Sequence, residues 1–590
     1  MNHKEIDTDV LVVGGGGAGF RAAIGAREKG VETLLLSKGP LGRCGATPMA
    51  GADYTLDGNS LRKLGFYGEP KDSMQTFFED IVKQGFYLNN QELLEQYVTT
   101  APDRLRELLE WGVAPVRSEE RAIFTTGIGM MDALIGQAKK LGVRTLEDVM
   151  LLELITQDGQ VVGALGLDIA SGQFLRFHAK AVIIASGGWH KAFWPNTGMR
   201  DLAGDGTAMA LRAGAELGNM EFITFCCNVL YGPPHVLGSI ASYIFSLRCA
   251  GELTNQEGER FLNQYDPSMV HIGTHMEWNK CFISLATTKE VRAGKGSPKG
   301  GIYYGRGDLP YEQWARQVQV SFPNWKYKHI DLKDIVASIE AGKPIEVGPA
   351  VEYFDGGIII DGKFQSNLPG LFAAGECTLG PFGANRVCAA TTEMLVHGAA
   401  AGERAGEYAQ GAPEPVKYSE KFQALEDAAT APLRRQEGLN VAQVRRRVQE
   451  MAHKRLGPIR TEAELKEFLA FLDEVQTRQL PHLATASKSR NYNKEWVDSL
   501  ELANLLQLLE TSAKSALLRT ESRGVHYRED HPYTDNDNWL KETVATLDGE
   551  ITIGTRPVRI TSLAPNPGRK PYFEMLQEMM EGHSEVGGHH

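Results

Sequence analysis

The chain has 590 residues, enough for three or four domains at roughly 100–200 residues each. Hydrophobic residues make up 42% and charged residues 23%, the balance of a globular protein that can build a large core. A formal net charge of -12 opposes non-specific attachment to nucleic acid or anionic lipid, and no stretch of about 18 apolar residues is present to cross a bilayer.

The opening residues Met1 to Asp9 carry both charge signs and run directly into a strand, so a cytoplasmic protein is expected. The seven cysteines are an odd number without a CxxC spacing. That argues against a disulfide framework, and against a zinc site or an iron–sulfur cluster held by this chain. No metal site is expected. A CxxxxC redox pair is also missing, which argues against a disulfide reductase.

Taken in chain order, the first predicted element is the apolar strand Asp9 to Val13, a buried parallel strand by its composition. Gly14, Gly16 and Gly19 follow as GxGxxG, with Gly17 and Ala18 between the last two. The first glycine permits a tight turn, the second lets backbone approach a pyrophosphate, and the third lets helix pack on strand. A helix from about Phe20 to Lys29 aims its N-terminal dipole at the phosphates, and a second strand, Glu32 to Leu36, completes a βαβ unit. Ser37 and Lys38 stand where an acidic residue usually takes the ribose. A serine hydroxyl can still bond a ribose, and the pattern by itself leaves NAD and FAD open.

Further along, Val182 to Ala185 is another buried strand, ending in a Ser186-Gly187-Gly188 turn. From about residue 417 to 520 the chain is rich in helix formers. Leu465, Phe468, Leu469 and Leu472 make an apolar stripe at i, i+3, i+4 and i+7, as in a helical bundle. Arg445, Arg446 and Arg447 form a solvated or partner-facing patch on a helix. Short strands are expected near Thr543 to Leu547 and Val558 to Thr561, with a polar, frayed tail from Glu581.

Several segments, in order, resemble the fumarate reductase/succinate dehydrogenase/L-aspartate oxidase flavoproteins. They are Ser37-Lys38; Asn196-Thr197 with Ala203-Gly204-Asp205-Gly206; Met220-Glu221-Phe222; Asn255 through Arg260-Phe261; Gly370 to Cys377; Gly383-Ala384-Asn385-Arg386; and Glu521 to His526. The similarity covers nearly the whole chain. It implies FAD rather than NAD. It also implies an α/β fold: a Rossmann-like FAD-binding domain with an inserted α+β capping domain and a C-terminal helical domain. The boundaries it suggests are 1–222 with 346–410 for FAD, 223–345 for the cap, 411–520 for the helices and 521–590 for a small terminal domain.

The resemblance also assigns residues. Glu376, at the end of a strand Leu371 to Ala374, would reach the sugar of the cofactor. Asp205 resembles a cofactor-contacting aspartate. The bland alternative for both is a turn residue. Thr391 and Thr392 open a helix whose N-terminus would face the pyrimidine end of the flavin. The loop Gly45, Ala46, Thr47 and Gly51 would line the cofactor. The flavin-linking histidine of the family falls on Gly45, so non-covalent FAD is expected.

On the substrate side, the family's two histidines fall on Cys226 and Glu352, its threonine near Tyr243, and its proton-delivering arginine near Lys280. Arg386 is retained and can hold a carboxylate in a bidentate pair. A cysteine donates weakly and a glutamate repels a carboxylate, so a substrate other than fumarate is expected. The simpler alternatives are small buried residues for Cys226-Cys227 and a cap-surface lysine for Lys280.

The resulting expectation is an FAD-containing oxidoreductase subunit that transfers hydride between flavin and a C=C/CH–CH substrate and exchanges electrons with an iron–sulfur partner. Two further readings stay open. One is an electron-transfer module without an organic substrate. The other is adenylylsulfate reductase-like chemistry, suggested by Tyr243 to Cys249 and Tyr527 to Pro532.

Overall fold

A computed structural model describes residues 3–50, 53–241, 251–265, 280–321, 331–386, 390–415, 417 and 420–581. Its centre is a seven-stranded sheet built on His3–Val13, whose residues Val10, Leu11 and Val12 are fully buried. This strand pairs in parallel with Thr33–Leu36 on one side and with Phe174–Ile184 on the other. The strand begins six residues earlier than its apolar core suggests, because His3 to Thr8 pair with Phe174 to Ala179.

Phe174–Ile184 organises the rest of the sheet. Its first half pairs antiparallel with Gln160–Asp168, and its last residues pair in parallel with Leu371–Ala373. A strand nearly two hundred residues away is thereby brought into the sheet of the opening strand. Gln160–Asp168 returns to Val149–Gln157 through Asp158-Gly159, both with positive φ, the Asp-Gly turn that matches the twist of a hairpin.

The helix Gly17–Glu28 covers this sheet and packs against Ala390–Gly411. The two helices approach backbone to backbone. A Cβ on Gly25 would lie 2.7 Å from the carbonyl oxygen of Ala399, and one on Gly402 would overlap that of Ala22.

A second sheet runs Ile223–Leu230, Ile345–Phe354, Ile302–Gly305, Glu252–Thr254 in spatial order. A third joins Gly357–Ile358 and Leu217–Gly218 to the late strands Lys541–Asp548 and Glu550–Pro557. The C-terminal chain thus folds back and extends a sheet begun three hundred residues earlier. The strand expected over Val558 to Thr561 does not form. Pro557 closes the hairpin, and the amides of Thr561, Ser562 and Leu563 all turn to Oε1 of Gln91.

The expected helical region holds Val441–Arg455, Glu462–Glu474 and Lys494–Leu518. Leu465, Phe468 and Leu472 are buried, with Leu469 at the edge of the stripe. Helix Tyr572–Glu581 ends the described chain, and the tail expected beyond it lies outside the described residues.

The glycine contact generates a prediction. Gly402→Val should destabilise the protein by about 3 kcal/mol, because the obstruction is backbone rather than a movable side chain. A thermal melt against the wild type reads this directly; an unchanged melting temperature would show that the helices can separate freely.

Candidate functional site

The opening strand, the glycine turn and the far strand Leu371–Ala373 together frame a deep cleft. Val13 to Ala18 form its floor, Cys44 to Thr47 one rim, and Ala374 to Glu376 another. Gly14 has a φ of +133°, and a Cβ there would overlap the backbone of Ala185. The helix Gly17–Glu28 starts from Gly16 with no side-chain cap, and the amide of Gly17 donates to Oγ1 of Thr47 at 3.1 Å. A helix N-terminus capped by glycine and opening into a cleft fits a pyrophosphate. Gly14, Gly16, Gly17, Ala18, Gly45, Ala46 and Thr47 all line this space. Gly19 lies one turn into the helix, and Gly51 lies outside the described residues.

Ser37 is held by its own loop. Its hydroxyl donates to the carbonyl of Gly39 at 2.7 Å and lies 3.1 Å from the Cys44 sulfur. The side chain is fully buried, between Leu36 and Lys38, which line the cleft.

Lys38 does line the cleft, and its ammonium sits 2.6 Å from Asp205 and 2.5 Å from Glu501. Burial alone would lower its pKa, but these two carboxylates hold it above the usual lysine range. Asp205 also accepts from the Asn504 amide at 2.8 Å. Glu501 in turn pairs with Lys191, which bonds Asp498 at 2.8 Å, and Asp498 meets Arg445 at 2.8 Å. Sequence reasoning missed Glu501 and Asn504. Their signal is charged and amide residues at i, i+3 and i+6 from Asp498, inside an otherwise leucine-rich helix.

Glu376 is confined more tightly. It accepts from the amides of Gly188 at 3.1 Å and Phe354 at 3.4 Å. Burial pushes its pKa up to about 8, with Glu393 and Asp355 adding to the rise. His190 lies 3.7 Å from it but is held neutral, because burial pushes its pKa down to about 4. Its Nε2 donates to the carbonyl of Glu352 at 2.7 Å.

Thr391 and Thr392 open the helix Ala390–Gly411, as expected. Their hydroxyls act as tethers. Thr391 donates to the carbonyl of Asp53, and Thr392 accepts from the amide of Thr55 at 2.7 Å.

Of the substrate-side residues, Arg386 is the best defined. It meets Glu393 at 2.7 Å, and its guanidinium stacks 3.6 Å above the Tyr353 ring and 4.6 Å from that of Phe382. The Tyr353 hydroxyl donates to the same Glu393 oxygen at 3.1 Å. Glu393 is buried, and sequence reasoning missed it. Its spacing from His397, four residues on along one helix face, was the available sign.

Glu352 falls at a β-bulge. Tyr353 pairs with Thr224 and Val351 with Phe225, which leaves Glu352 as the extra residue of its strand. Cys226 pairs with Ala350 and is fully buried in a small cluster with Val229 and Tyr231, the environment of a residue packed into the interior. Lys280 begins the helix Lys280–Arg292, and Tyr243 lies outside the described residues.

The elevated pKa of Glu376 predicts a pH dependence for the protein without its cofactor. Between the ordinary glutamate value of 4.5 and about 8, the unfolded chain gives up this proton while the folded chain keeps it. Stability therefore falls as pH rises through this window. Glu376→Gln should remove that slope, with a gain on the order of a few kcal/mol by pH 8. Chemical denaturation at pH 5 and pH 8 measures it, and a gain equal at both would show that the carboxyl is ionised throughout.

A family model described as "FAD binding domain" matches residues 9–124 and 114–392, and one described as "Fumarate reductase flavoprotein C-term" matches 445–572. The fumarate reductase flavoprotein subunit of Mycobacterium tuberculosis is 30% identical over 94% of this chain and 98% of its own. The succinate dehydrogenase flavoprotein subunit of Rickettsia bellii is 29% identical over 96% of this chain and 97% of its own. The solved structure of Mycobacterium smegmatis Sdh1 in complex with UQ1 superposes with a TM-score of 0.83 at 31% identity, covering 95% of this chain and 96% of that one. The chain binds FAD and belongs to the fumarate reductase/succinate dehydrogenase flavoprotein family of FAD-dependent oxidoreductases.

Proposed function

We propose that this flavoprotein transfers hydride between non-covalent FAD and a C=C/CH–CH substrate other than fumarate. The observation that carries the proposal is the charge around Arg386. Its guanidinium is already neutralised by the buried Glu393, and Glu393 and Asp355 both raise the pKa of Glu376. A second carboxylate on a substrate would meet like charge, a penalty of several kcal/mol in a dry site. One carboxylate or an acyl carbonyl can still be held by the face of Arg386 turned away from Glu393.

Bound FAD supplies the hydride acceptor and donor. The chain supplies the rest. Arg386 orients the substrate, Tyr353 and Glu393 hold Arg386, and the segment 223–345 closes over the site and excludes water. Lys280, at the start of its helix, is proposed as the proton donor to the carbon that does not receive hydride. Gly45 has no side chain with which to link the flavin.

Electrons would pass to an iron–sulfur partner. Among the described residues there is no cluster of metal-binding side chains. Beside the Gly45–Thr47 rim, Met49 is 53% and Ile128 49% exposed, an apolar surface that suits a docked partner close to the cofactor. The segments that carry them lie together, since Gly127 packs directly on the carbonyl of Thr47. No described helix is long and apolar enough to cross a membrane, and a cytoplasmic location is part of the proposal.

A dye-coupled assay of the FAD-loaded protein tests the reading against fumarate, monocarboxylic enoates and enoyl thioesters. Fumarate should be inert and one other class should turn over. Arg386→Ala should lower kcat/KM for that class by about 100-fold or more. Rapid fumarate turnover would refute the charge argument, and silence from the whole panel would favour an electron-transfer module. Acid precipitation should release all the FAD into the supernatant; flavin retained in the pellet would mean a covalent link.

A further inference from the structure

Next to the dinucleotide cleft lies a second cavity, of about 320 Å³, which the proposed reaction does not use. Met150 lies between the two and lines both. The second cavity is walled by the strand Val149–Gln157 and by the helices Glu420–Ala429, Ala431–Arg434 and Lys494–Leu518, through Leu152, Leu425, Pro432, Leu500 and Ala503. Its size falls within the range of about 300–1,000 Å³ usual for small-molecule sites.

Two arginines and one glutamate reach it, and they differ in what is left for a ligand. Arg212 is committed: it holds both oxygens of Glu153 and also bonds Asn504, Gln507 and the carbonyl of Leu152. The Arg435 guanidinium makes one hydrogen bond among the described residues, from Nη1 to the carbonyl of Leu483 at 2.8 Å, and pairs with no carboxylate there. Glu153 and Arg212 cancel, so the lining carries one net positive charge, on a guanidinium with donors to spare.

We infer that this cavity is a second ligand site, built for a linear apolar monocarboxylate whose head pairs with Arg435 and whose tail lies among the leucines. The apolar wall from Leu152 to Leu500 suits a medium-length acyl chain, for which octanoate is the probe. Bidentate pairing of a carboxylate with a guanidinium accounts for the head, and burial of methylenes for the tail. The wall of the site is joined to the FAD cleft by hydrogen bonds. Arg212 donates to Asn504 at 2.9 Å, and Asn504 donates to Asp205 at 2.8 Å.

Isothermal titration of the FAD-loaded full chain with hexanoate, octanoate and methyl octanoate tests the assignment. Octanoate should bind about fifteen-fold more tightly than hexanoate, at about fourfold per buried methylene. Methyl octanoate and the Arg435→Gln variant should each cost at least about tenfold. Ala503→Phe, which fills the cavity, should abolish binding, and Arg386→Gln should leave it unchanged. Should Ala503→Phe fail to fold, the exchange at Arg435 still decides. Absence of binding at about 10 mM, weaker than millimolar affinity, would overturn the inference. So would octanoate binding that survives Arg435→Gln but is lost in Arg386→Gln, which would assign it to the reaction site. Equal binding of acid and ester would overturn the role of Arg435.

Discussion

The contact between Gly17–Glu28 and Ala390–Gly411 is the constraint on which the site depends. The first helix begins at the pyrophosphate turn, and the second begins just beyond Arg386 and carries Thr391, Thr392 and Glu393 in its first turn. Glycine at Gly25 and Gly402 lets the helix backbones touch, and side chains there would push the axes apart. Any such displacement would be felt at both ends. It would move the bare helix N-terminus relative to the cleft, and Glu393 relative to Arg386. The tethers from Thr391 and Thr392 to the strand Asp53–Thr55 fix the same helix in the third dimension.

Charge is distributed around the cleft with opposite logic at its two ends. At the Lys38 end, cations and anions alternate through Asp205, Glu501, Lys191, Asp498 and Arg445, so each buried charge has a partner. Removing one member would leave another buried and uncompensated, and this is why a helix of the C-terminal region can shape a site framed by the first twenty residues. At the Arg386 end, carboxylates outnumber the one guanidinium, and Glu376 responds by holding its proton. On the proposed reading, this acidic excess disfavours a substrate with a second carboxylate, because only one guanidinium is present to meet it.

How much of this could be read in the sequence follows from the range of the interactions. The glycine turn was legible because two of its glycines answer to nearby backbone, Gly14 to Ala185 at the end of the neighbouring strand and Gly19 to Gly14 itself. The stripe of Leu465, Phe468 and Leu472 was legible because helical periodicity is local. The orientation of Ser37 was not, because it depends on Gly39 and Cys44 closing a loop around it. Glu501 and Asn504 were not, because nothing within a helix says which distant lysine or aspartate its polar residues will meet. The strand expected over Val558 to Thr561 failed for a similar reason: Gln91, far off in sequence, takes the amides that a ladder would have used.

The same distinction bears on Cys226 and Glu352. Aligned by resemblance, they stand as equivalent replacements for two ligand-binding histidines. In the fold they are unlike. Cys226 pairs in register with Ala350 and is enclosed by Val229 and Tyr231, as a residue packed into the interior. Glu352 is the extra residue of a bulge, and bulges re-aim a side chain away from the alternation of its strand. Its carbonyl also receives the His190 proton, which fixes that stretch of backbone next to Glu376. Of the two residues, the glutamate is therefore the one on which the proposed change of substrate rests, since the bulge sets it apart from the regular alternation of its strand.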